Sequence, residues 1–480
     1  MQSIDMRKRI KQIAIVFIVI IGIAAVIAVA GALYVNTPRG QEYLQAKIST
    51  AMPGSMTWHS GRLSPLSGAF EVRDGLIKDP SNVTVAGFDR LILNVSWFSS
   101  LSGGMPAVSC LIEKPWTHLK ADTTGAFNLG RAFAPPPSEA PPGSRNGSVA
   151  STSTMLPAVL LEQLTISDGS LHFETADRKS MIDLGDINLI ARGDVAKLSG
   201  IISLHVGRGN IDSPNIHTGI DDVAVEAAMS NGRIDPLVAR VRLPSVQANL
   251  SGSVTDITGT PSLRASAEGT VSLRELGRSL CLAPAMTGQV AVHLQIAGSL
   301  DNPEGHLRLD YGGGTILKTP VDRINLETWL ADRLVSVNAL TIHVAEGTVK
   351  GEGSIDLRQS FPKGFRSPER KPEAVAYALS LEGTGIHLDT LIRDGRRRSG
   401  IVNPSLSIRG TGVSLHDMTA HATLAVNGTG VGTGSPAIPV DLEVRGDAAL
   451  RQGTAEVRQF TIRAGRTEAD VHGSWNILSN

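Results

Sequence analysis

The sequence predicts a mostly β protein, in which an N-terminal transmembrane helix leads into an elongated antiparallel β-sheet. Three observations support this fold class. After about residue 55 the apolar residues recur mostly at every second position, which is typical of strands with one apolar face. The chain has 50 glycines and only 4% aromatic residues, a composition that favours a thin, repetitive β structure with a shallow core. A single long apolar stretch precedes the strands.

The apolar stretch covers residues 13–35 and carries no charged side chain. A helix of this length is about 34 Å long, enough to cross a bilayer core of about 30 Å. Residues 1–12 carry four cations against the single acid Asp5, so this flank is predicted to stay in the cytoplasm and the rest to be exported. The cations are Arg7, Lys8, Arg9 and Lys11, and the predicted anchor residues are Ile13, Phe17, Ile21, Val26 and Leu33.

A cleaved secretory signal is the alternative interpretation of this stretch. Ala28-Val29-Ala30 would serve as a small-residue cleavage site. The apolar region of a signal peptide usually covers only about 7–15 residues, so the length favours an uncleaved anchor. Both interpretations place the bulk of the chain outside the cytoplasm.

Charge and cysteine content exclude several classes of protein. The formal net charge is zero, which gives no electrostatic basis for binding nucleic acid. Two cysteines, Cys110 and Cys281, can neither staple a small scaffold nor form a structural zinc site alone. The favoured interpretation is that both are small apolar residues within a sheet, although a disulfide between them is left open.

Composition divides the exported part into three segments. Residues 36–133 form a β region with a short leading helix over 36–50, which Asn36 or Thr37 can cap and in which Pro38 fits the first turn. Residues 134–156 are rich in Pro, Ser and Gly and are predicted to be a disordered loop. Residues 157–480 form a repetitive β region with one helical island at Leu273–Leu282.

The apolar face of this sheet is the candidate functional site. A sheet must cover its apolar face or use it, and this sequence has few amphipathic helices to cover it. The sheet can instead curl into an open trough with that face inside. The candidates for lining a lipid groove there are Val290, Val292, Leu294, Ile296, Leu307, Leu309, Leu340, Ile342, Val344, Val375, Tyr377, Leu379 and Leu381.

No pattern in the sequence indicates catalysis or a cofactor. The twelve histidines form no HxH, HxxxH or HExxH spacing, so no metal site is predicted. Gly312-Gly313-Gly314 lacks the Lys-Ser/Thr pair of a phosphate-binding loop, and no Gly-x-Ser-x-Gly elbow opens a helix. We therefore predict that the protein is not an enzyme and needs no metal or cofactor.

Several short motifs follow the apolar stretch. They are Asn36-Thr-Pro-Arg-Gly40, Pro53-Gly54, Gly61-Arg-Leu63, Gly75-Leu-Ile-Lys-Asp-Pro80, Leu91-Ile-Leu-Asn-Val-Ser-Trp97, Glu113-Lys-Pro115, Gly125-Ala-Phe-Asn-Leu129 and Gly298-Ser-Leu-Asp-Asn-Pro303. With these motifs the chain resembles the TamB-type members of the AsmA-like superfamily, the inner-membrane components of the translocation and assembly module. The resemblance covers most of the chain and rests on degenerate patterns.

The resemblance implies a single-pass protein of the bacterial inner membrane, with its bulk in the periplasm as a curled sheet, the β-taco. It implies a bridge-like transfer of phospholipids towards the outer membrane and, for TamB itself, an outer-membrane barrel partner of the Omp85 type. TamB-like proteins are much longer and end in a domain that meets the barrel. This chain is therefore either truncated or a short member, and contact with a barrel is left open.

Three functions follow in order of preference. The first is a lipid-transfer conduit that moves phospholipid along the apolar groove. The second is a scaffold for outer-membrane protein assembly or secretion, which would use a sheet edge for strand addition. The third is an envelope hydrolase, which the lack of a catalytic pattern disfavours.

Overall fold

The computed structural model describes residues 34–64, 67–96, 107–122, 127–133, 160–194, 197, 199–257, 259–282, 286–391, 398–414, 416–433 and 438–477. These residues fold into two compact units. Unit 1 comprises Met1–Pro214 and Gly219–Asn231, and unit 2 comprises Asn215–Thr218 and Gly232–Asn480. Most described residues are in strands, which confirms the prediction of a mostly β protein.

Within the residues that the structure describes, unit 1 contains two short helices and ten strands that lie wholly within it. The helices are α1 (Pro38–Ala51) and α2 (Asn128–Phe133), and the strands are β1 (Ser55–Thr57), β2 (Ser60–Ser64), β3 (Ala69–Lys78), β4 (Thr84–Ser96), β5 (Ala107–Glu113), β6 (Trp116–Lys120), β7 (Leu160–Glu174), β8 (Met181–Asp194), β9 (Ser199–Ser213) and β11 (Asp222–Ser230). The residues of β10 (Ile216–Ile220) are divided between the two units.

The strands of unit 1 form a sheet that is antiparallel except at two parallel pairings, both made by β7. β1 and β2 pair with successive halves of β3, and β3 pairs with β4. β5 and β6 pair with successive parts of β4 on one side and of β7 on the other, and both run parallel to β7. β7, β8, β9 and β11 then follow in antiparallel order. The prediction of a purely antiparallel sheet is therefore wrong at β7.

Chain connectivity explains the parallel pairing. Parallel neighbours need a crossover connection, whereas antiparallel neighbours need only a tight turn. The segment between β6 and β7 contains α2 and is long enough for such a crossover. The predicted disordered loop, residues 134–156, belongs to this connection and lies outside the described residues.

Helix α1 begins at the cap that the sequence predicts. Thr37 has extended backbone angles, its hydroxyl accepts a hydrogen bond from the Gly40 backbone N–H at 3.2 Å, and Pro38 occupies the first turn. Leu44 and Ile48 of this helix pack against a core of Trp58, Val72 and Phe88. α1 therefore covers the apolar side of the first strands of unit 1.

Side-chain amides next to and within α1 also satisfy the outer backbone edge of β2. The Asn36 amide accepts from Leu63 N at 2.6 Å and donates to Leu63 O at 2.9 Å. The Gln41 amide makes the same two bonds to Gly61, at 3.1 Å and 2.7 Å. An unpaired strand edge is a template for pairing with another chain, and these two amides occupy it as a neighbouring strand would.

The described part of unit 2 contains two short helices and seventeen strands. The helices are α3 (Leu273–Ser279) and α4 (Leu388–Leu391), and a single 3-10 turn covers Pro372–Ala374. The strands are β12 (Arg233–Arg242), β13 (Val246–Thr255), β14 (Ser262–Ser272), β15 (Gln289–Ser299), β16 (Asn302–Tyr311), β17 (Gly314–Ile316), β18 (Thr319–Val321), β19 (Arg323–Ala331), β20 (Leu334–Val344), β21 (Gly347–Asp356), β22 (Ala376–Thr384), β23 (Ile386–His387), β24 (Arg398–Thr411), β25 (Thr419–Thr433), β26 (Val440–Arg451), β27 (Thr454–Ala464) and β28 (Thr467–Asn476).

The main sheet of unit 2 is an antiparallel meander. From β12 to β16, each strand pairs with the next one along the chain. β16 pairs with β19 because β17 and β18 form a separate small hairpin, and β22 pairs with β24, which also carries β23. The helical island predicted at Leu273–Leu282 is confirmed as the shorter helix α3.

The core is shallow, as the composition predicts. Among the described residues, the largest side chains that are fully buried are only Val72, Val85 and Ser360. Among the same residues, no helix has the length and apolar character needed to cross a bilayer. The predicted cytoplasmic segment 1–12 and residues 13–33 of the predicted transmembrane helix lie outside the described residues, and Tyr34 and Val35 are helical.

The two cysteines have different environments, and both are free. Cys110 lies in β5, in register with Leu93 and Leu164, as the sequence predicts for an apolar residue within a sheet. Burial raises the pKa of its thiol above the ordinary value. Cys281 is exposed after α3 with a positive φ of 52°, so its predicted place within a sheet is wrong.

We expect iodoacetamide to modify Cys281 at least about tenfold faster than Cys110, because the reacting species is the exposed thiolate. Mass spectrometry of the two tryptic peptides over time measures both rates in the same sample. In denaturant the rates should converge, which serves as the control. Equal rates in the folded protein would contradict the position of Cys110 in the sheet.

Candidate functional site: an apolar face in register

One face of the unit 2 sheet carries an unbroken row of apolar or glycine residues. Residues directly opposite one another in an antiparallel pair project to the same face, so the register identifies each neighbour. The row takes one residue from each strand of the main sheet between β12 and β28 except the two-residue strand β23, and we call it the central row. Its members are Val241, Ala248, Gly269, Val292, Leu309, Leu326, Leu340, Gly351, Leu381, Leu406, Leu424, Gly446, Phe460 and Val471.

A second row runs beside the central row, two residues away along most strands. Thr328 is its single polar member. The central row and this second row together are called the apolar face. The second row comprises Ala239, Leu250, Ala267, Leu294, Leu307, Thr328, Val337, Gly353, Leu379, Ile408, Ala422, Ala448, Val457 and Gly473.

The apolar face is accessible to solvent. No member of the central row is buried: all are half-buried except Val471, which is 55% exposed. In a sealed globular core, side chains of this size would be buried. The arrangement therefore resembles a surface prepared for an apolar occupant.

Glycines in the central row allow neighbouring leucines to approach the strand closely. A Cβ on Gly351 would lie 2.6 Å from Cδ2 of Leu381 and 3.0 Å from Cδ2 of Leu340. The leucines on the two neighbouring strands thus fill the space above Gly351. In the sequence, the alternating Gly351 and Gly353 of β21 indicate this close packing. The pattern of hydrophobic residues does not reveal it, because glycine has no apolar side chain.

The opposite face of the same strands is polar and bears ion pairs. His306 Nε2 lies 2.9 Å from Glu327 Oε1, and His421 Nε2 lies 3.0 Å from Asp447 Oδ2. Arg308 donates to Asp310 at 2.9 Å. The sheet is therefore amphipathic, with solvated charges on one side and the apolar face on the other.

One end of the strands is closed by a small core that we call the end cluster. It consists of Tyr311, Val321, Val344, Ala345, Ile386 and Val402. The β17–β18 hairpin supplies Val321 and Ile316, while α3 and α4 pack Leu273 and Leu388 against the cluster. The Tyr311 hydroxyl donates to the Thr287 carbonyl at 3.0 Å, and burial raises its pKa above the ordinary value. These short insertions cover the apolar face at this end.

The structure places twelve of the thirteen groove candidates in strands, all on one face. Val375 is the exception, since it follows the 3-10 turn just before β22. Val344 belongs to the end cluster, against which Val290 and Ile342 pack, so these three lie at the closed end. Leu326 and Phe460 belong to the central row but were not among the candidates.

Unit 1 has a row of the same kind. It combines the antiparallel pairs with the parallel pair between β5 and β7, and all its members are large and apolar. They are Val72, Leu91, Ile112, Ile166, Leu189, Leu204 and Val225. Val72 is buried beneath α1, whereas the other members are half-buried.

A carboxylate at the other end of the strands, opposite the end cluster, is tightly held. Asp356 accepts hydrogen bonds from Nε and from the backbone N–H of Arg358, both at 3.0 Å. The side-chain hydrogen bond is the main reason that the pKa of Asp356 falls from 3.8 to about 2. Because the folded-state pKa is the lower one, the pair stabilises the fold above about pH 4, and this contribution is lost as the pH falls towards 2.

We expect the Asp356 carboxyl carbon to titrate in an NMR experiment with a midpoint near pH 2. In Arg358→Gln the midpoint should move up towards 3.8, because the charged donor is gone. A midpoint near 3.8 in the unaltered protein would show that the pair does not form in solution.

Among the described residues, no three His, Cys, Asp or Glu side chains lie close enough together to hold a metal ion. The arrangement of the strands places the protein in a class of β-sheet proteins. In this class, one solvent-accessible face carries apolar residues that the strand register aligns into rows. Comparison with protein-family models, curated proteins and solved structures yields no match to this chain. The apolar face is therefore the observation from which its function must be argued.

Proposed function

We propose that the protein transfers phospholipid between membranes, with the acyl chains held against the apolar face. The central row carries this proposal, since it offers apolar contact on fourteen strands of the main sheet between β12 and β28 without a polar interruption. The half-exposed state of its leucines supports the same function, because an occupant can reach them.

The energetics of lipid desolvation explain why such a surface would be useful. A two-chain lipid has on the order of 30 methylenes, and exposing them all to water costs about 25 kcal/mol at about 0.8 kcal/mol each. A barrier of that size limits spontaneous transfer to a rate on the order of 10⁻⁶ per second. Contact with an apolar face removes much of this cost while the headgroup stays in water.

The resemblance to TamB-type AsmA-like proteins supports the same proposal. On this proposal residues 13–35 anchor the protein in the bacterial inner membrane, and residues 36–480 lie in the periplasm. Phospholipids and the inner membrane are then its partners, and no catalytic step or cofactor is required.

Photocrosslinking tests this function directly. Benzoylphenylalanine at Leu294, Leu309 or Leu381 should yield lipid adducts after irradiation in cells, detected by mass spectrometry of the purified protein. The same group at Gln295, Arg308 or Glu382, on the polar face of the same strands, should not. Equal lipid labelling from both faces, or none from either, would contradict the proposal.

A second candidate function is assembly of outer-membrane proteins, alone or with an Omp85-type barrel. The observation that favours it is strand β28, which is exposed along its whole length and, within the described residues, pairs only with β27. An exposed edge can accept an extended partner segment through backbone hydrogen bonds. Protein adducts from a crosslinker at Asp470, in place of lipid adducts at the apolar face, would favour this function.

A further inference from the structure

A cleft of about 350 Å³ at the ends of β24–β27 is lined by three arginines. Its polar lining consists of Arg409, Arg451, Arg458, Thr411, Thr419 and His421. Thr411, Thr419 and Arg451 are direct neighbours on consecutive strands, as are Arg409 and His421. All lining residues are described by the structure, and none is an aspartate or glutamate. We call this site the arginine cleft.

Two of the three guanidinium groups have no ion-pair partner among the described residues. Arg458 lies 3.5 Å from Glu456 and 3.9 Å from Asp447, so its charge is balanced. Arg409 and Arg451 form no ion pair with any residue that the structure describes. Other arginines on these strands are paired: Arg445 lies 2.6 Å from Glu443, and Arg463 lies 3.0 Å from Glu468.

The spacing of the two unpaired arginines suits a small anion. Arg409 and Arg451 stand on strands two apart and are offset by two residues along them, which separates their backbones by about 12 Å. Between them lies β25, and the small Ala449 beside Arg451 also lines the cleft. Two like charges facing one cleft repel one another unless an anion lies between them.

Phosphate is the anion that this donor set matches best. A guanidinium presents parallel N–H donors that fit two phosphate oxygens at once. Thr411 and Thr419 add hydroxyl donors on the same face of the sheet. A carboxylate ligand would leave several of these donors without an acceptor, because it offers two oxygens rather than three or four.

We propose that the arginine cleft binds the phosphate group of a phosphate ester, held by Arg409 and Arg451. The ester could come from two sources with the same chemistry, a lipid headgroup or a soluble organic phosphate. This inference goes beyond the transfer of acyl chains and does not depend on it, because the cleft is formed mainly by the polar face.

Isothermal titration of the full chain in a neutral detergent distinguishes these sources. Three probes are compared: glycerol 3-phosphate, dihexanoyl-phosphatidylglycerol and dihexanoyl-phosphatidylcholine. The test variant is Arg409→Gln with Arg451→Gln. The control variant is Arg445→Gln with Arg463→Gln, which removes the same charge from neighbouring strands outside the cleft.

We expect the test variant to bind the favoured probe at least about tenfold more weakly, since each charge-assisted hydrogen bond contributes about that factor or more. The control variant should bind as the unaltered protein does. Tighter binding of phosphatidylglycerol than of glycerol 3-phosphate assigns the cleft to a lipid headgroup, and the reverse order assigns it to a soluble ester. No binding of any probe, or equal weakening in both variants, would overturn the proposal.

Discussion

Replacing Leu294, Leu340 and Leu379 together by aspartate should reduce lipid crosslinking at the apolar face at least about tenfold. Burying an apolar side chain of this size contributes about 1.5–3 kcal/mol, and a carboxylate in its place must keep its hydration shell. The three leucines lie on β15, β20 and β22, so the charges interrupt the face at separate points. Lipid adducts at a benzoylphenylalanine placed at Leu309 measure the effect.

The matched control places the same three charges on the polar face. In Gln295→Asp, Thr341→Asp and Ser380→Asp, each aspartate stands next in sequence to one of the replaced leucines. Thr341 lies opposite Lys350, so a carboxylate there gains a partner. This variant should retain crosslinking. Unchanged crosslinking in the leucine variant, with circular dichroism showing an intact sheet in both, would mean that lipid does not travel along this face.

Replacing Phe88 by alanine should give the largest loss of stability of any single substitution considered for unit 1. Phe88 is 8% exposed and packs with Trp58 and Val72 beneath α1. Its ring fills the space beside Gly75, where a Cβ would lie 2.1 Å from the ring. Removing a buried phenylalanine costs about 3–5 kcal/mol, and the tight surroundings limit how far the cavity can collapse.

Hydrogen exchange followed by mass spectrometry measures this loss locally. Amides of β3 and β4 should exchange about a hundredfold faster or more in Phe88→Ala, since about 1.4 kcal/mol corresponds to a factor of ten. Phe133→Ala is the matched control, because that ring is 54% exposed and should change exchange little. Equal effects of the two substitutions would contradict the core beneath α1.

Local patterns predicted the strands and helices α1 and α3, whereas the short helices α2 and α4 were not predicted. The alternation of Val290, Val292, Leu294 and Ile296 depends only on the two-residue period of a strand, so it could be assigned without knowing any partner. The same is true of helix α1, where Thr37 and Pro38 supply the cap and the first turn. Candidate groove residues could be chosen for the same reason, and all but Val375 lie in strands.

Pairing between strands was beyond these patterns. That Leu340 faces Leu326 and Gly351, and that the row continues to Phe460, depends on register, which long-range hydrogen bonds and turn lengths set together. The parallel pairing of β7 could not be foreseen because an antiparallel and a parallel partner have the same alternating sequence. No local sequence pattern predicted the arginine cleft, because Arg409 and Arg451 are 42 positions apart in the chain.

The sequence by itself determined that this protein is made of amphipathic strands with few helices to cover them, since side-chain alternation is a local property of the chain. Only the tertiary structure decided that the apolar sides align into one row, that the end cluster closes one end of it, and that Asn36 and Gln41 occupy the edge of β2. Each of these depends on contacts between residues distant in sequence, whose formation is fixed by the free energy of the whole fold and not by any short segment.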